Sequence, residues 1–584
     1  MTNEVLESGQ HRRILWLLVV VAIAGAYLYT HLVGWQLFIR SEDIPGLLDQ
    51  GSTIPAVRGA ILDATGHYLA VNTVQYELDI TPRMLTDTQI IRLVPALAVI
   101  LKQKEEDLYT VITSSNKNDY LVLGRELPAQ AGRELFALGQ EIKSETNLDI
   151  RFAMSALVIA PSSTRAYPDD GIAAQVIGLI NKEGVKTGIE ARYDDVLSGV
   201  DGQRRSLTGQ FFTRAGGYRP VQDGADLVLT IDRNLQAEAE RLLRQGISET
   251  KAVRGTILVL DSQTGAVLAL ANAPSFRPGQ WQDWAKLPQL AFNNTGVSSQ
   301  YEPRATFMPL TIAAALETRV ISTELTYVDS GEMAVGGQKF INWDRIKRPA
   351  VTVTTLSDTL ATSRIVGAAY IASLMGSARF YEMVRRFGFG EPTGIDLPAE
   401  QSGDMQLPGS PNWVLAFLGF NGIGRALTVT PIQLTSAYAA LANDGVLMRP
   451  YVVAEQCRGA EVTVTQPYRV RRVVSSEVAQ SITRILAEAM TQAQSEALVP
   501  GYRFAGISSM TGTPGADNLP RGVLTSAYIG YGPLPEKRYV VLVWFDQPEQ
   551  AYFGKDVAAP VFGKMVRYLM DYMRIAPDTA SEVN

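Results

Sequence analysis

Apolar stretches predict strands near both ends of the second half of the chain. Residues 256–261 and 266–271 are almost continuously apolar and flank a Thr-Gly turn, which predicts a hairpin buried on both faces. Residues 527–531 and 539–545 are similar stretches near the end of the chain. Mainly helical periodicity fills residues 301–445. This order predicts an α+β domain in which one sheet takes strands from distant parts of the sequence.

The first half of the chain has shorter predicted elements. A turn at 63–66 between two apolar segments predicts a hairpin, and residues 85–146 combine helical periodicity with polar loops. Residues 226–232 predict a strand, and an amphipathic helix follows at 235–245. A closing helix is predicted at 561–573. No repeat with a period of 20 to 50 residues stands out, so a solenoid is not indicated.

The most continuous apolar stretch lies near the N-terminus. Residues 14–33 are uncharged and about as long as a helix that crosses a bilayer. Arg12 and Arg13 precede them, whereas Glu42 and Asp43 follow, which predicts a cytoplasmic N-terminus and an outward-facing remainder. A cleaved signal peptide is the alternative, but the stretch is long for a signal core and no clear cleavage site ends it. We expect a single-pass membrane protein.

Composition narrows the function classes. The 584 residues carry a net charge of -6, which argues against binding to nucleic acid. Cys457 is the one cysteine and there are three histidines, so the chain cannot form an internal disulfide framework, and a His/Cys metal cluster is close to excluded. We expect no metal and no cofactor.

Several short motifs follow one another in an order that resembles a known family. They include Arg58-Gly59-Ala60-Ile61-Leu62-Asp63, Arg165-Ala166-Tyr167-Pro168, Gly188-Ile189-Glu190 and the stretch from Tyr301 to Pro309. In kind, spacing and order they resemble the class B penicillin-binding proteins, the peptidoglycan D,D-transpeptidase family. The resemblance extends from Arg58 to about Pro560.

The resemblance implies a division into five parts. These are a cytoplasmic tail (1–13), a transmembrane anchor (14–35), an elongated mixed α/β pedestal or dimerisation domain (36–249), a transpeptidase-like domain whose central antiparallel sheet is covered by helices (250–575), and a disordered tail (576–584).

The first catalytic motif of the family is altered in this chain. The family pattern Tyr-Glu-Pro-Gly-Ser-Thr-Phe-Lys-Pro is matched by Tyr301-Glu302-Pro303-Arg304-Ala305-Thr306-Phe307-Met308-Pro309. Ala305 replaces the nucleophilic serine, and Met308 replaces the lysine that serves as its base. Thr306 is a poor substitute, because one residue turns a side chain by about 100° around a helix.

The other two motifs are altered as well. In the Ser-x-Asn motif, Ser363 remains but Ile365 stands where the family has the amide. The Lys-Thr-Gly-Thr motif is present as Met510-Thr511-Gly512-Thr513, without its lysine. The N–H groups of Ala305 and Thr513 could still form an oxyanion hole.

Two arginines stand beside these motifs. Arg304 precedes Ala305 and Arg364 follows Ser363. They are either solvated surface residues or, in the sharper hypothesis, cations that plug the cleft or bind an anionic partner. With Ser363, Thr511 and Thr513 they are the candidate residues of a ligand cleft.

Three further matches to the motifs carry little weight. They are Ser114-x-x-Lys117, Ser248-x-x-Lys251 and Lys186-Thr187-Gly188. None of them opens an apolar helix, and patterns with two fixed residues arise by chance in a chain of this length.

The first hypothesis for function is an outward-facing pseudo-transpeptidase of the plasma membrane that supports or regulates cell-wall synthesis. The family resemblance implies a SEDS-type glycosyltransferase and other cell-wall synthesis proteins as partners. A second hypothesis is an active D,D-transpeptidase or carboxypeptidase with an unrecognised nucleophile, for which Ser363 is the candidate. A third is a module that binds the peptidoglycan stem peptide or a β-lactam without acylation.

Overall fold

The computed structural model describes most of the chain outside its N-terminal region. The described residues are 16, 18–30, 48–115, 120–144, 147, 151, 153–169, 171–181, 184–209, 212–280, 285–345, 352–493, 496–510, 524–549 and 554–578. They fall into two units, one made of residues 1–57 and 199–224 and the other of residues 58–198 and 225–584. Strands and helices are numbered in chain order.

The first unit contains a small antiparallel sheet. Its strand order is β1-β6-β7, with β1 at Leu48–Ile54, β6 at Gly202–Gly209 and β7 at Phe212–Arg219. Residues 16 and 18–30 are helical. The predicted membrane span at 14–35 lies only partly within the described residues, and among those residues no helix has the length and hydropathy needed to cross a bilayer.

A seven-stranded sheet opens the second unit. Its order is β19-β18-β8-β2-β3-β4, and β5 also pairs with β3. The strands are β2 (Ile61–Leu62), β3 (Tyr68–Ile80), β4 (Leu121–Leu127), β5 (Leu157–Ala166), β8 (Asp226–Leu229), β18 (Val453–Arg458) and β19 (Glu461–Val464). Strand β18 comes from the second half of the chain, so this sheet joins the predicted pedestal to the predicted transpeptidase-like part.

Helices cover the outer end of this sheet. They are α1 (Asp87–Leu101), α2 (Glu105–Ser114) and α3 (Ala129–Ser144). A capping box starts α1, in which the Thr86 hydroxyl accepts from Gln89 N and the Gln89 side chain accepts from Thr86 N. The apolar faces of these helices pack with the inner residues of β3 to β5 in a separate core.

A buried carboxylate holds the base of the pedestal together. Glu190 lies in α5, one of three short helices, α4 (Ala174–Ile177), α5 (Gly188–Arg192) and α6 (Asp194–Leu197). Its carboxylate is fully buried and pairs with Arg58 at 2.7 Å and with Arg165 at 2.6 Å. Arg165 also donates to the Gly59 carbonyl and to the Asn72 side chain. The motifs that resembled the pedestal signature therefore meet in one charged cluster.

The second sheet is five-stranded and antiparallel throughout. Its order is β10-β9-β23-β22-β21, with β9 at Arg254–Asp261, β10 at Val267–Ala273, β21 at Ala505–Met510, β22 at Thr525–Gly532 and β23 at Tyr539–Asp546. Every residue of β22 and β23 is buried, because helices cover both faces. The α+β architecture predicted from the sequence is confirmed.

Two helices, α7 and α15, cover one face of this sheet. Helix α7 spans Arg233–Thr250 and α15 spans Gly554–Tyr572. A Cβ at Gly246 would lie 2.5 Å from the Phe545 ring, so glycine allows α7 to approach the sheet closely. The sequence placed α7 in the pedestal, before a boundary near residue 250. In the structure α7 packs on β9, β10 and α15.

The remaining helices form the opposite face and its surroundings. They are α8 (Thr295–Ser298), α9 (Met308–Glu317), α10 (Leu356–Ala361), α11 (Ile365–Arg386), α12 (Ala416–Gly422), α13 (Pro431–Ala442) and α14 (Ser476–Gln492). Four two-stranded ribbons accompany them, β11 (Thr326–Asp329) with β14 (Thr352–Thr355), β12 (Glu332–Val335) with β13 (Gln338–Ile341), β15 (Asp404–Met405) with β16 (Leu427–Thr428), and β17 (Val446–Met448) with β20 (Arg469–Arg472).

The charged cluster at the pedestal base gives a prediction for the pH dependence of stability. Burial alone would raise the pKa of Asp194, but hydrogen bonds from Lys186, Arg58 and Ser198 lower it to about 2. Because the unfolded carboxyl has a pKa of about 4, its stabilisation is complete above that pH and is lost as the pH falls towards 2. Asp194→Asn should lower Tm at pH 7, and the difference from wild type should shrink between about pH 4 and pH 2.

Thermal unfolding followed by circular dichroism across this pH range measures the effect. The control is Asp195→Asn, which removes an exposed neighbouring carboxylate and should change Tm little. A Tm difference for Asp194→Asn that is as large at pH 2.5 as at pH 7 would contradict the assignment.

Candidate functional site

The altered first motif lies at the start of a completely buried helix. Residues Arg304–Phe307 form a 3-10 turn that continues directly into α9. Residues 308–316 of α9 are all buried, and Pro309 occupies the first turn of the helix, where the missing N–H costs no hydrogen bond. The apolar pattern of this stretch therefore forms the helix that the sequence predicted.

The two replaced positions differ in burial. Met308 is fully buried, whereas Ala305 is half-buried and packs against the main core. A lysine at position 308 would need a partner in this environment, since burial disfavours a charged ammonium. A methionine side chain is about as long as a lysine side chain but carries no charge.

Thr306 does not present its hydroxyl to the cleft. The residue is fully buried, and its Oγ1 donates to the Pro303 carbonyl at 2.6 Å. Its own carbonyl accepts a hydrogen bond from the Tyr438 hydroxyl at 2.7 Å. Tyr438 lies in α13, and the sequence analysis did not identify it as a support for the turn, because no local pattern links residues 132 positions apart.

Arg304 is held inside the turn. Its φ of 53° lies in the left-handed region, and its N–H donates to the Gly424 carbonyl at 2.9 Å. A Cβ at Gly424 would come within 2.4 Å of the Arg304 carbonyl oxygen, so glycine is required for this close approach. The Arg304 side chain is 11% exposed, and its Nε lies 2.9 Å from a Glu302 carboxylate oxygen. Arg304 is thus paired within its own loop.

Arg364 is tied into a buried polar cluster. It is the N-cap residue of α11, and its Nη1 donates to Asp329 at 2.8 Å, to Thr352 at 2.8 Å and to Thr354 at 3.1 Å. These partners lie on the β11–β14 ribbon. The sequence suggested either a solvated surface arginine or a cation that plugs the cleft or binds an anionic partner. In the structure the Arg364 side chain is buried and paired with Asp329.

Asp329 extends this cluster to the start of α11. Its Oδ2 accepts from the Asn342 side chain at 2.8 Å, and Asn342 Oδ1 accepts from the N–H of Val366 at 3.1 Å. Asn342 therefore satisfies one of the free N–H groups in the first turn of α11. The sequence analysis missed Asp329 and Asn342. A lone acidic residue in a short apolar strand was the available signal.

The serine of the second motif lies just before the start of α11. Ser363 is half-buried with a φ of 50°, and its N–H donates to the Leu360 carbonyl at 3.2 Å. Among the described residues no hydrogen bond to its side-chain hydroxyl is formed. Ile365 packs against the core where the family has an amide. Serine needs a base within hydrogen-bond reach to act as a nucleophile at neutral pH.

The third motif begins on the edge strand of the five-stranded sheet. Strand β21 lies beside the 3-10 turn, so the first motif lies next to the strand that ends at Met510. Met510 is its last residue, and its backbone pairs with that of Ser526. Thr511, Gly512 and Thr513 lie outside the described residues, and the suggested oxyanion hole therefore remains a prediction.

The chance matches to the motifs lie elsewhere. Lys186 pairs with Asp194 at the pedestal base, and the Ser114 hydroxyl donates to a carbonyl of its own helix. Lys117 lies outside the described residues. Within the part of the chain that the structure describes, no group of three His, Cys, Asp or Glu side chains could hold a metal ion.

Two family models together match most of the chain. Residues 255–567 match the penicillin-binding protein transpeptidase domain, and residues 53–229 match the penicillin-binding protein dimerisation domain. Among curated relatives, stage V sporulation protein D of Bacillus subtilis is 27% identical over 97% of this chain and 86% of the relative. Peptidoglycan D,D-transpeptidase FtsI of Escherichia coli is 26% identical over 96% and 91%.

Solved structures agree on the fold. A peptidoglycan synthetase from Bifidobacterium adolescentis superposes with a TM-score of 0.71 at 21% identity, covering 91% of this chain and 98% of that one. Penicillin-binding protein 3 from Mycobacterium tuberculosis in complex with aztreonam gives a TM-score of 0.67 at 23% identity, with coverage of 90% and 98%.

The burial of Met308 gives a prediction for stability. Met308→Lys should lower the free energy of unfolding by about 3 to 5 kcal/mol, because it buries a charge without a partner. Met308→Leu, which conserves volume and polarity, should cost less than about 1.5 kcal/mol. Denaturant unfolding of both variants measures the difference.

Adding Ala305→Ser and Ile365→Asn to Met308→Lys tests whether the lack of a partner for the ammonium causes the loss of stability. The two polar side chains should recover part of the lost stability by offering hydrogen-bond acceptors to the ammonium. Equal stability of the Lys and Leu variants would show that position 308 tolerates a charge.

Proposed function

Because this chain belongs to the class B penicillin-binding proteins, a family of peptidoglycan synthesis, we propose that it serves that synthesis as a supporting protein and not as an efficient transpeptidase. One observation carries the proposal. The places of the nucleophile and of its base hold Ala305 and a fully buried Met308. Neither side chain can attack a carbonyl to form a covalent acyl-enzyme. Neither can accept a proton as a general base.

The remaining groups of the cleft support the same conclusion. Among the described residues the Ser363 hydroxyl forms no hydrogen bond to a base, and the Thr306 hydroxyl donates to the Pro303 carbonyl. In a serine enzyme that has lost its catalytic residues, an intact oxyanion hole retains a rate enhancement of at most roughly 10³ to 10⁴ over the uncatalysed reaction. Efficient acylation by a stem peptide or a β-lactam is therefore not expected.

The turn around Ala305 and Met308 keeps its backbone hydrogen bonds. Met308 brings no charge to a buried site, so it suits the interior better than an unpaired lysine does. The turn is fixed by Gly424 and Tyr438, and neither contact involves the side chain of residue 305 or 308. A protein that has kept this fold without its reaction can still bind partners through its surface.

We place this protein in the plasma membrane with its N-terminus in the cytoplasm and most of the chain outside. A SEDS-type glycosyltransferase and other proteins of cell-wall synthesis are the proposed partners, contacted through the anchor and the pedestal.

Purification of the full-length chain from cross-linked membranes should recover such a glycosyltransferase. Recovery should be equal for wild type and for Ala305→Ser, since the interaction does not use the cleft. Loss of the partner on Ala305→Ser would contradict this.

Labelling with a fluorescent penicillin tests the loss of activity. Full-length protein in detergent should give no covalent band after denaturing electrophoresis, and Ala305→Ser should give none either, because the bases are also absent. A variant that also carries Met308→Lys, Ile365→Asn and Met510→Lys should label detectably. An active relative from the same family serves as the positive control.

Two results would favour the other hypotheses. A band from wild type that disappears in Ser363→Ala would show an enzyme with an unrecognised nucleophile. Calorimetric binding of a muropeptide without a covalent band would show a module that holds the stem peptide or the β-lactam.

A further inference from the structure

A second concave site lies at the far end of α11 from the altered cleft. The cavity has a volume of about 510 Å³, within the range of small-molecule sites. Three arginines and two glutamates line the cavity, and one of its sides is apolar. The lining residues used below are Arg385, Arg386, Arg471, Glu382, Glu391 and Leu407. Gly376 interrupts α11 with a non-helical φ of 70° and ψ of 164°, and the cavity lies along the segment after this break, whereas Ser363 and Ile365 lie at the start of α11.

Hydrogen bonds to the backbone fix two of the arginines. Arg471 Nε donates to the Arg386 carbonyl at 2.8 Å, and Arg471 Nη2 donates to the Arg385 carbonyl at 3.0 Å. In return Arg386 Nη2 donates to the Arg472 carbonyl at 3.2 Å. Strand β20 and the end of α11 are thereby clasped together. The carbonyls at the helix end also favour a positive charge there.

The arginines are only weakly neutralised by protein carboxylates. The nearest ion pair, between Arg471 and Glu391, spans 4.0 Å, and the Glu391 side chain is 64% exposed. Arg385 is exposed and forms no ion pair with any described residue. Arg469 and Arg472, exposed on the same strand as Arg471, add to the positive charge. This concentration of arginine contrasts with the net charge of -6 for the whole chain.

We propose that this cavity binds a small phosphorylated molecule. The planar guanidinium group matches the oxygens of a phosphoryl group with two parallel hydrogen bonds, and several arginines around one site favour a dianion over a single carboxylate. Leu407 and Pro408 form an apolar side to the same cavity, which suits the organic part of a phosphate ester or diphosphate. The site is independent of the chemistry proposed for the cleft.

Binding of pyrophosphate to the full-length protein in detergent, measured by calorimetry, tests the site. Wild type should bind, and Arg385→Gln should weaken binding about ten-fold or more, because it removes a charge-assisted hydrogen bond. The matched control is Arg379→Gln, which removes an exposed arginine of the same helix that does not line the cavity and should leave the affinity nearly unchanged. Glu382→Gln should strengthen binding, since it removes a nearby negative charge.

A flotation assay with vesicles containing phosphatidylglycerol separates a free molecule from a lipid headgroup. The small-molecule site should bind pyrophosphate without vesicles. Equal effects of Arg379→Gln and Arg385→Gln, or no pyrophosphate binding by wild type, would overturn the proposal. So would vesicle binding that depends on Arg385 without any binding of free pyrophosphate.

Discussion

The fold of the larger unit depends on a carboxylate that lies out of contact with water. Glu190 pairs with Arg58 and Arg165, which come from segments 132 and 25 residues away in sequence. Without Glu190, the Arg165 guanidinium would be a buried charge, and breaking such a pair typically costs about 3 to 5 kcal/mol. The hydrogen bonds from Arg165 to Gly59 and Asn72 extend this constraint to the strands around β2. Three distant segments are thus fixed at the edge where the pedestal meets the rest of the unit.

The turn that carries Ala305 keeps its shape through contacts that do not use the side chains of residues 305 and 308. The 3-10 turn is held from behind by the Tyr438 hydroxyl and from the side by the backbone around Gly424. These contacts use main-chain atoms of the turn. Replacing a serine and a lysine by Ala305 and Met308 therefore leaves the supports of the turn in place, while the removal of a buried amine also removes its desolvation cost.

Local patterns in the sequence predicted most of the fold. The buried hairpin of β9 and β10, the two later strands and the amphipathic helix α7 all occur where periodicity and turn residues placed them. The family motifs predicted one cleft, and in the structure the strand that ends at Met510 lies beside the turn of the first motif. Such patterns could not predict contacts between residues distant in sequence, because those contacts depend on the tertiary fold. The partnership of Arg364 with Asp329 is one example, and the packing of α7 on the second sheet is another.

The pairing of β18 with β8 determines how the chain can be divided. Val453 to Cys457 form an antiparallel ladder with Asp226 to Leu229, although more than 200 residues separate the two strands. A fragment cut near residue 250 would keep β18 but lose β8, and its sheet would end in an unpaired row of N–H and C=O groups. Such an edge recruits strands from other molecules. The two regions that the family models match separately are therefore not two independently soluble pieces, and aggregation of the isolated second region would follow from the missing ladder.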